Sequence, residues 1–210
     1  MWKRAPSFFD VVAYTGTGSA RTVSHNLGVA PEMMWVKKRN ETGAWPVYHV
    51  GAHSTSPENY FLQLNSTITA TLNSARWNNT APTATEFTVG NGGTVNDPND
   101  TYIAYLFASL DGVSKVGSYT GDGNTGKQID CGFQNGARFI LIKATSSSGG
   151  WLLWDAERGI VTGNDPYLFL NTTDAENTAG DNVDPYSAGF IVNGPGNNAS
   201  GVDYIFYAIA

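Results

Sequence analysis

Slid against itself by about 105 residues, the sequence repeats. Tyr14-Thr15-Gly16-Thr17-Gly18 returns as Tyr119-Thr120-Gly121-Asp122-Gly123, and Met33-Met34-Trp35-Val36-Lys37 returns as Phe139-Ile140-Leu141-Ile142-Lys143. Trp45 and Tyr48 fall on Trp151 and Trp154, and Phe61-Leu62-Gln63-Leu64-Asn65 falls on Tyr167-Leu168-Phe169-Leu170-Asn171. Phe87-Thr88-Val89 matches Phe190-Ile191-Val192, and the run from Tyr102 to Ala108 matches Tyr204 to Ala210. The order is kept throughout. The offset holds at 105–107 and slips to 102–103 near the end, as a duplication with a few loop deletions does. Any fold for this chain must therefore be one that a block of about half its length can form twice. The repeat places a first domain at residues 1–110 and a second at 111–210.

Periodicity within each copy is that of strands. Phe9 to Tyr14 reads as a strand entering a turn, where Gly16 and Gly18 supply backbone freedom. Met33 to Val36 and Phe139 to Ile142 are short unbroken apolar runs, expected of strands covered on both faces. The segments 61–65 and 86–90 alternate more, which predicts one wet face. Gly 24, Thr 21, Asn 19 and Ser 15 together make up over a third of the 210 residues, and these types favour turns and strand surfaces over helix interiors. Ten Phe, ten Tyr and six Trp provide a core, which excludes wholesale disorder. Six or seven short strands per copy, with turn signals every 8–15 residues, predict an all-β fold: two tandem, internally duplicated β-sandwich (jelly-roll-like) units packed together. The last strand, ending at Ala108 or Ala210, is expected to be integral to each unit.

Charge narrows the partners. The net charge is −6, and the one basic concentration (Lys3, Arg4, Arg21, Lys37, Lys38 and Arg39 against Asp10 and Glu32) reads as solvated strand-end charge. Nucleic acid is not an expected partner. The longest apolar runs have seven residues, against about 20 for a membrane span, so no membrane insertion is expected. Lys3 and Arg4 mimic the start of a signal peptide, but Pro6 and Asp10 interrupt any apolar core for one. A lone Cys131 forms no internal disulfide, consistent with maturation in a reducing cytoplasm.

Chemistry is scarce. His49 and His53 are spaced as two metal ligands on a helix would be, but Gly51 lies between them and Pro46 and Pro57 flank them, so they read as loop histidines. Asp97-Pro98-Asn99-Asp100 and Asp122-Gly123-Asn124 resemble calcium loops without the longer ligand register. Cys131 aligns with His25 and lacks a base, so it reads as a small buried thiol. Asp155 and Glu157 are acidic in the second copy only, where the first has His49 and Gly51, a poor basis for paired-carboxylate hydrolysis. No catalytic residue, no metal and no cofactor is expected. Trp45, Tyr48, Trp151 and Trp154 suit sugar stacking, yet their recurrence at one offset favours shared core positions. Binding is expected instead on the longest polar connections, residues 91–100 and 193–201. Within them the candidates are Asn91, Asp97, Asn99, Asp100, Asn193, Asn197 and Asn198.

Several runs carry a family resemblance: residues 3–12 (Lys3 through Val12), 25–32 (His25 through Glu32), Trp45-Pro46-Val47-Tyr48-His49, 112–121 (Gly112 through Gly121) and Trp154-Asp155-Ala156-Glu157-Arg158-Gly159. Together they resemble a repeat module of marine and cyanobacterial tailed-phage virion proteins, over nearly all of residues 3–210. In that family the module often forms the C-terminal part of tail-fibre or appendage chains. The resemblance supplies no catalytic residues. It implies a location on the virion, assembled in the host cytoplasm, with other virion proteins as partners and a host surface glycan or receptor as a further one. It also implies a homo-oligomer, with a trimer favoured. Met1-Trp2 opens directly onto the module, so the chain reads as a cut-out C-terminal domain or a stand-alone virion protein. Three other readings are a capsid cement or decoration protein, a carbohydrate-binding module and a tailspike-like glycosidase.

Overall fold

The computed structural model describes residues 4–210; Lys3 and the Met1-Trp2 opening lie outside the described residues. The described residues divide into two compact units, one of residues 4–65 and 70–109, the other of residues 66–69 and 110–210.

Unit 1 contains β1 (Phe9–Thr15), β2 (Arg21–Ser24), β3 (Met33–Lys38), β4 (Pro46–His49), β5 (Tyr60–Gln63), β6 (Thr71–Leu72), the one-turn helix α1 (Ser74–Trp77), β7 (Glu86–Val89), the one-turn helix α2 (Gly93–Asn96) and β8 (Thr101–Phe107). One sheet runs in the order β1-β8-β3-β4-β5-β6, and β2 pairs with β7 in a second. The first strand pairs with the last and the second with the next to last, all antiparallel, which is the nesting of a jelly roll. Between them lie Leu27, Val36, Phe87, Val89, Tyr102, Ala104 and Leu106, all essentially without exposure. Because side chains alternate along a strand, these residues take one face of each strand and leave the other to the outside.

Unit 2 contains β9 (Ser114–Thr120), β10 (Lys127–Asp130), β11 (Phe139–Ala144), β12 (Trp151–Asp155), β13 (Leu168–Phe169), β14 (Val183–Tyr186), β15 (Gly189–Val192), the one-turn helix α3 (Pro195–Asn198) and β16 (Asp203–Ile209). Its large sheet is β9-β16-β11-β12-β13 and its small one β10-β15-β14. Strand for strand, this is the order of unit 1. Its core gathers Ile129, Ile140, Ile142, Trp154, Val183, Phe190, Val192, Tyr204 and Phe206. The final strands β8 and β16 each have a partner on both sides, so neither is an edge. The units differ where unit 1 inserts β6 and α1 and unit 2 inserts β14.

The turn after the first strand shows the duplication at the level of atoms. Tyr14 stacks on Tyr102 at 5.2 Å between ring centroids, and Tyr119 on Tyr204 at 5.0 Å. Asn96 is fully buried; it accepts from Thr17 N–H (2.9 Å) and donates to Ser19 O and Gly90 O (both 2.7 Å). Asn198, also fully buried, accepts from Asp122 N–H (3.1 Å) and donates to Asp122 Oδ1 (2.8 Å) and Asn124 O (2.7 Å). A Cβ on Gly16 would lie 2.0 Å from Asp97 O, and one on Gly121 would lie 2.1 Å from Ala199 O. Only glycine leaves room for that approach.

The expectation of one wet face fails for the segments at 61–65 and 86–90. Phe61, Leu62, Phe87, Thr88 and Val89 are all buried. The cover is α1, which packs against β5 and β7: Trp77 Nε1 donates to Tyr60 O at 3.0 Å and the Arg76 guanidinium lies over the Phe61 ring. Conversely, Met33 to Val36 was expected to be covered on both faces, yet Trp35 is only half-buried.

Candidate functional site

The outer face of the large sheet in unit 1 carries the site. Strand pairing puts Val11 opposite Tyr105 and Tyr105 opposite Trp35, so three side chains on β1, β8 and β3 form one row. Ile103 occupies the next outward position on β8. Trp45, just before β4, stacks on Tyr105 with centroids 6.5 Å apart and planes 18° from parallel. Its backbone is pinned at both ends: Trp45 N–H donates to Asn65 Oδ1 (3.0 Å) and Leu64 N–H donates to Trp45 O (2.9 Å). Phe9 and Phe107 back the row from the strand ends, 6.5 Å from Tyr105 and 4.7 Å from Trp35.

These residues line a groove of about 600 Å³ whose walls are Arg4, Val11, Trp35, Trp45, Leu64, Ile103 and Tyr105. Arg4 is positioned by the buried Asp10 carboxylate (2.8 Å) and by the carbonyl of Val11 (2.8 Å). Asp10 is held in turn by Asn26 N–H (2.7 Å) and Val11 N–H (2.8 Å). Trp35 Nε1 is buried and has no hydrogen-bond partner among the described residues. The lining holds no carboxylate, imidazole or thiol. It can stack on and hydrogen-bond a ligand.

The equivalent positions in unit 2 differ. Val116, Leu141, Trp151, Ile205 and Tyr207 are buried there, and Leu141 replaces Trp35. The Trp151 backbone keeps the same pins, from Asn171 Oδ1 (2.7 Å) and Leu170 N–H (3.0 Å). The scaffold is common to both units. The open groove belongs to unit 1.

The residues predicted for binding scatter. Asn193, Asn197 and Asn198 are buried, and their side chains hold the fold together. Asn193 donates to Asp181 and Asp184 (3.0 and 2.8 Å) and accepts from Gly126 N–H, while Asn197 donates to Asn182 O (2.7 Å). These three are corrected from surface contacts to structural residues: the connection stays exposed at Pro195, Gly196, Ser200 and Gly201 but turns these three side chains inward. Asp97 and Asp100 flank Lys38 at 2.9 and 2.5 Å, with Glu41 at 3.3 Å. Those carboxylates raise the Lys38 pKa, while Lys38 and then Asn40 hold Asp100 below the usual carboxylate range. In unit 2 the matching positions are Ala144, Ala199 and Val202, so the ion cluster is particular to unit 1. Asn91 and Asn99 are exposed, Asn99 with a left-handed backbone (φ 67°).

Of the four aromatics assigned to shared core positions, Tyr48, Trp151 and Trp154 are buried. Trp45 is half-buried and lines the groove. The Cys131 thiol is buried, which pushes its pKa up to about 12. His49 is fully buried and accepts from Gly51 N–H (2.9 Å), and His53 stacks on Tyr60 at 4.3 Å. Asp155 accepts the N–H groups of Glu157 and Arg158 and pairs with the Arg158 side chain. Among the described residues, no three His, Cys, Asp or Glu side chains gather as a ligand set for a metal. Two buried charged groups had no signal in the sequence pattern. Lys143 donates to Ala144 O (2.5 Å), and Asp165 accepts from Val161, Val183 and Asn182 N–H.

The sequence pattern of a family described as a domain of unknown function, DUF7483, matches residues 4–210. The chain belongs to this family. The DUF7483 match spans both repeats, so the duplicated unit pair falls within one family domain. No curated protein and no solved structure matches the chain.

Proposed function

We propose that this chain is a non-catalytic virion module of a tailed phage, part of a tail fibre or appendage, and that it attaches to a host surface glycan through the aromatic groove of unit 1. The groove is the observation that carries this reading. The apolar C–H faces of pyranose rings stack on aromatic planes, and the half-buried Trp45, Tyr105 and Trp35 offer three in one concavity. The Arg4 guanidinium at the rim supplies donors for hydroxyl groups. The virion location rests on the resemblance of the repeated motifs to tailed-phage appendage modules, and a homotrimer is the assembly that this resemblance favours.

The test is adsorption. Purified chain added before infection is expected to block phage attachment to the host in proportion to its occupancy of host glycan. Residue-resolution imaging of the particle should place the chain on the tail. Density on the capsid shell, with no effect on adsorption, would overturn this reading in favour of a decoration protein. Release of oligosaccharide from host envelope by the purified chain would overturn the non-catalytic part.

A further inference from the structure

We propose that a second, smaller cavity in unit 1 binds a hydroxylated carboxylate, with Arg76 taking the carboxylate group. The inference stands apart from the aromatic groove.

Arg76 lies on α1, which is fixed at several points. Asn73 Oδ1 accepts from Ala75 N–H (2.9 Å), and Trp77 is buried beside Tyr60. The carbonyls of Ala75 and Arg76 accept from Gly92 and Gly90 N–H (2.9 and 2.8 Å), which clamps the helix to the turn before α2. The Arg76 side chain, held there, has no hydrogen bond and no ion pair among the described residues. Its Nε is out of water, and its Cζ sits 4.8 Å from the centroid of the Phe61 ring. Thr94 Oγ1 is likewise buried without a partner. Both residues line one cavity of about 310 Å³, together with Lys38, Thr42, Gly93 and Asp97.

A partly desolvated cation without a counter-ion is costly, and an anion relieves the cost. Lys38 cannot be the receiving cation, because Asp97, Asp100 and Glu41 already surround it. Arg76 is the cation left unmatched at this cavity. Glycines let the turn approach both side chains: a Cβ on Gly92 would lie 2.4 Å from Arg76 Nη1 and 2.7 Å from the Ala75 carbonyl oxygen, and one on Gly93 would lie 2.7 Å from Asp97 Oδ2.

The neighbours select among anions. Asp97 at the cavity wall repels a dianion such as phosphate or sulfate but accepts a hydrogen bond from a hydroxyl. Thr94 Oγ1, buried at the wall without a partner, becomes a second hydroxyl partner by rotating into the cavity. A planar carboxylate matches the guanidinium fork in a way that a point charge does not. A single sugar acid fits a cavity at the small end of the range for ligand sites. Unit 2 has no counterpart, because the carbonyl of Asn182 takes the place of the Arg76 carbonyl, accepting from Asn193 N–H (2.9 Å).

The experiment is a titration of the full chain, followed by two-dimensional amide NMR, with glucuronate, glucose and inorganic phosphate. Saturable shifts in residues 76 and 92–97 are expected with glucuronate, at an affinity at least tenfold above that for glucose or phosphate. Arg76→Gln should weaken glucuronate at least tenfold. Thr94→Val should weaken it several-fold. Arg76→Lys should recover part of the loss. If Arg76→Gln fails to fold, judged by its amide spectrum, Thr94→Val and Arg76→Lys, the latter expected to bind less tightly than wild type, carry the test. An oligosaccharide ending in glucuronate that binds as well as the free acid identifies a polymer end as the source; binding of the free acid alone identifies a small metabolite. Glucose or phosphate binding as tightly as glucuronate, no glucuronate binding, or affinity unchanged in the cavity variants overturns the proposal.

Discussion

Replacing Asn96 by alanine removes three hydrogen bonds at once from a fully buried side chain. Two of the orphaned partners, Thr17 N–H and Ser19 O, belong to exposed residues, so water replaces the lost bond and each costs about 1 kcal/mol. The third, Gly90 O, belongs to a buried residue and is left without a donor, at about 2 kcal/mol. The sum is about 4 kcal/mol, or a fall in Tm of about 8–16 °C for a chain of this size. Asn96→Asp should be no milder at neutral pH, because its second oxygen faces two carbonyls where the amide now donates. The assay is guanidinium chloride unfolding, followed by tryptophan fluorescence and far-UV circular dichroism, with the exposed Asn91→Ala as a control expected within about 0.5 kcal/mol of wild type. Asn198→Ala should cost a similar amount, because the same lock recurs in unit 2. A loss below about 1 kcal/mol for Asn96→Ala would refute the reasoning that this side chain staples the first turn to α2.

Glycine replacements test the close approach at the same turns. Gly16→Ala and Gly121→Ala each drive a methyl into a carbonyl oxygen and should cost more than about 2 kcal/mol by the same melts, while Gly43→Ala, with open space around it, should stay within about 0.5 kcal/mol. Burial holds the Lys143 ammonium down to about 8, against 10.5 in an exposed chain, so between those values the unfolded chain binds a proton that the folded chain refuses. Stability should therefore rise as pH goes from 8 to 10.5, by up to about 3 kcal/mol, with the penalty constant below 8. Lys143→Met should flatten that rise and stabilise the protein at pH 7 by about 2 kcal/mol; parallel pH profiles for wild type and variant in urea melts would contradict the assignment.

The repeat made most of the fold legible. Tyr14 and Tyr119 match in the repeat, as do Tyr102 and Tyr204, and in the structure each unit stacks its own pair, Tyr14 on Tyr102 and Tyr119 on Tyr204. Strand positions follow from apolar runs, because a sheet must bury one face of every strand. What the pattern could not supply was which face. Trp35 lies in an unbroken apolar run and still opens to a groove, while Phe61 and Leu62, neighbours on opposite faces of β5, are both buried, Phe61 beneath Arg76 of α1. The polar connections misled for a related reason. Asparagine signals a turn, and at Asn193, Asn197 and Asn198 the turn folds inward, so the amides bond to backbone and to Asp181 and Asp184 instead of water. Recurrence at one offset marked Trp45 with Tyr48, Trp151 and Trp154 as shared scaffold positions. Its exposure depends on what lies over the sheet, which local sequence does not encode.

Binding of the purified chain to host envelope polysaccharide, with and without Trp45→Ala, decides whether the aromatic groove of unit 1 is an attachment site. The account predicts saturable binding that weakens at least tenfold when the Trp45 ring is removed, with the amide spectrum and the melt of the variant otherwise preserved. Wild-type protein that ignores host glycan, or a Trp45→Ala variant that binds as tightly as wild type, would contradict it.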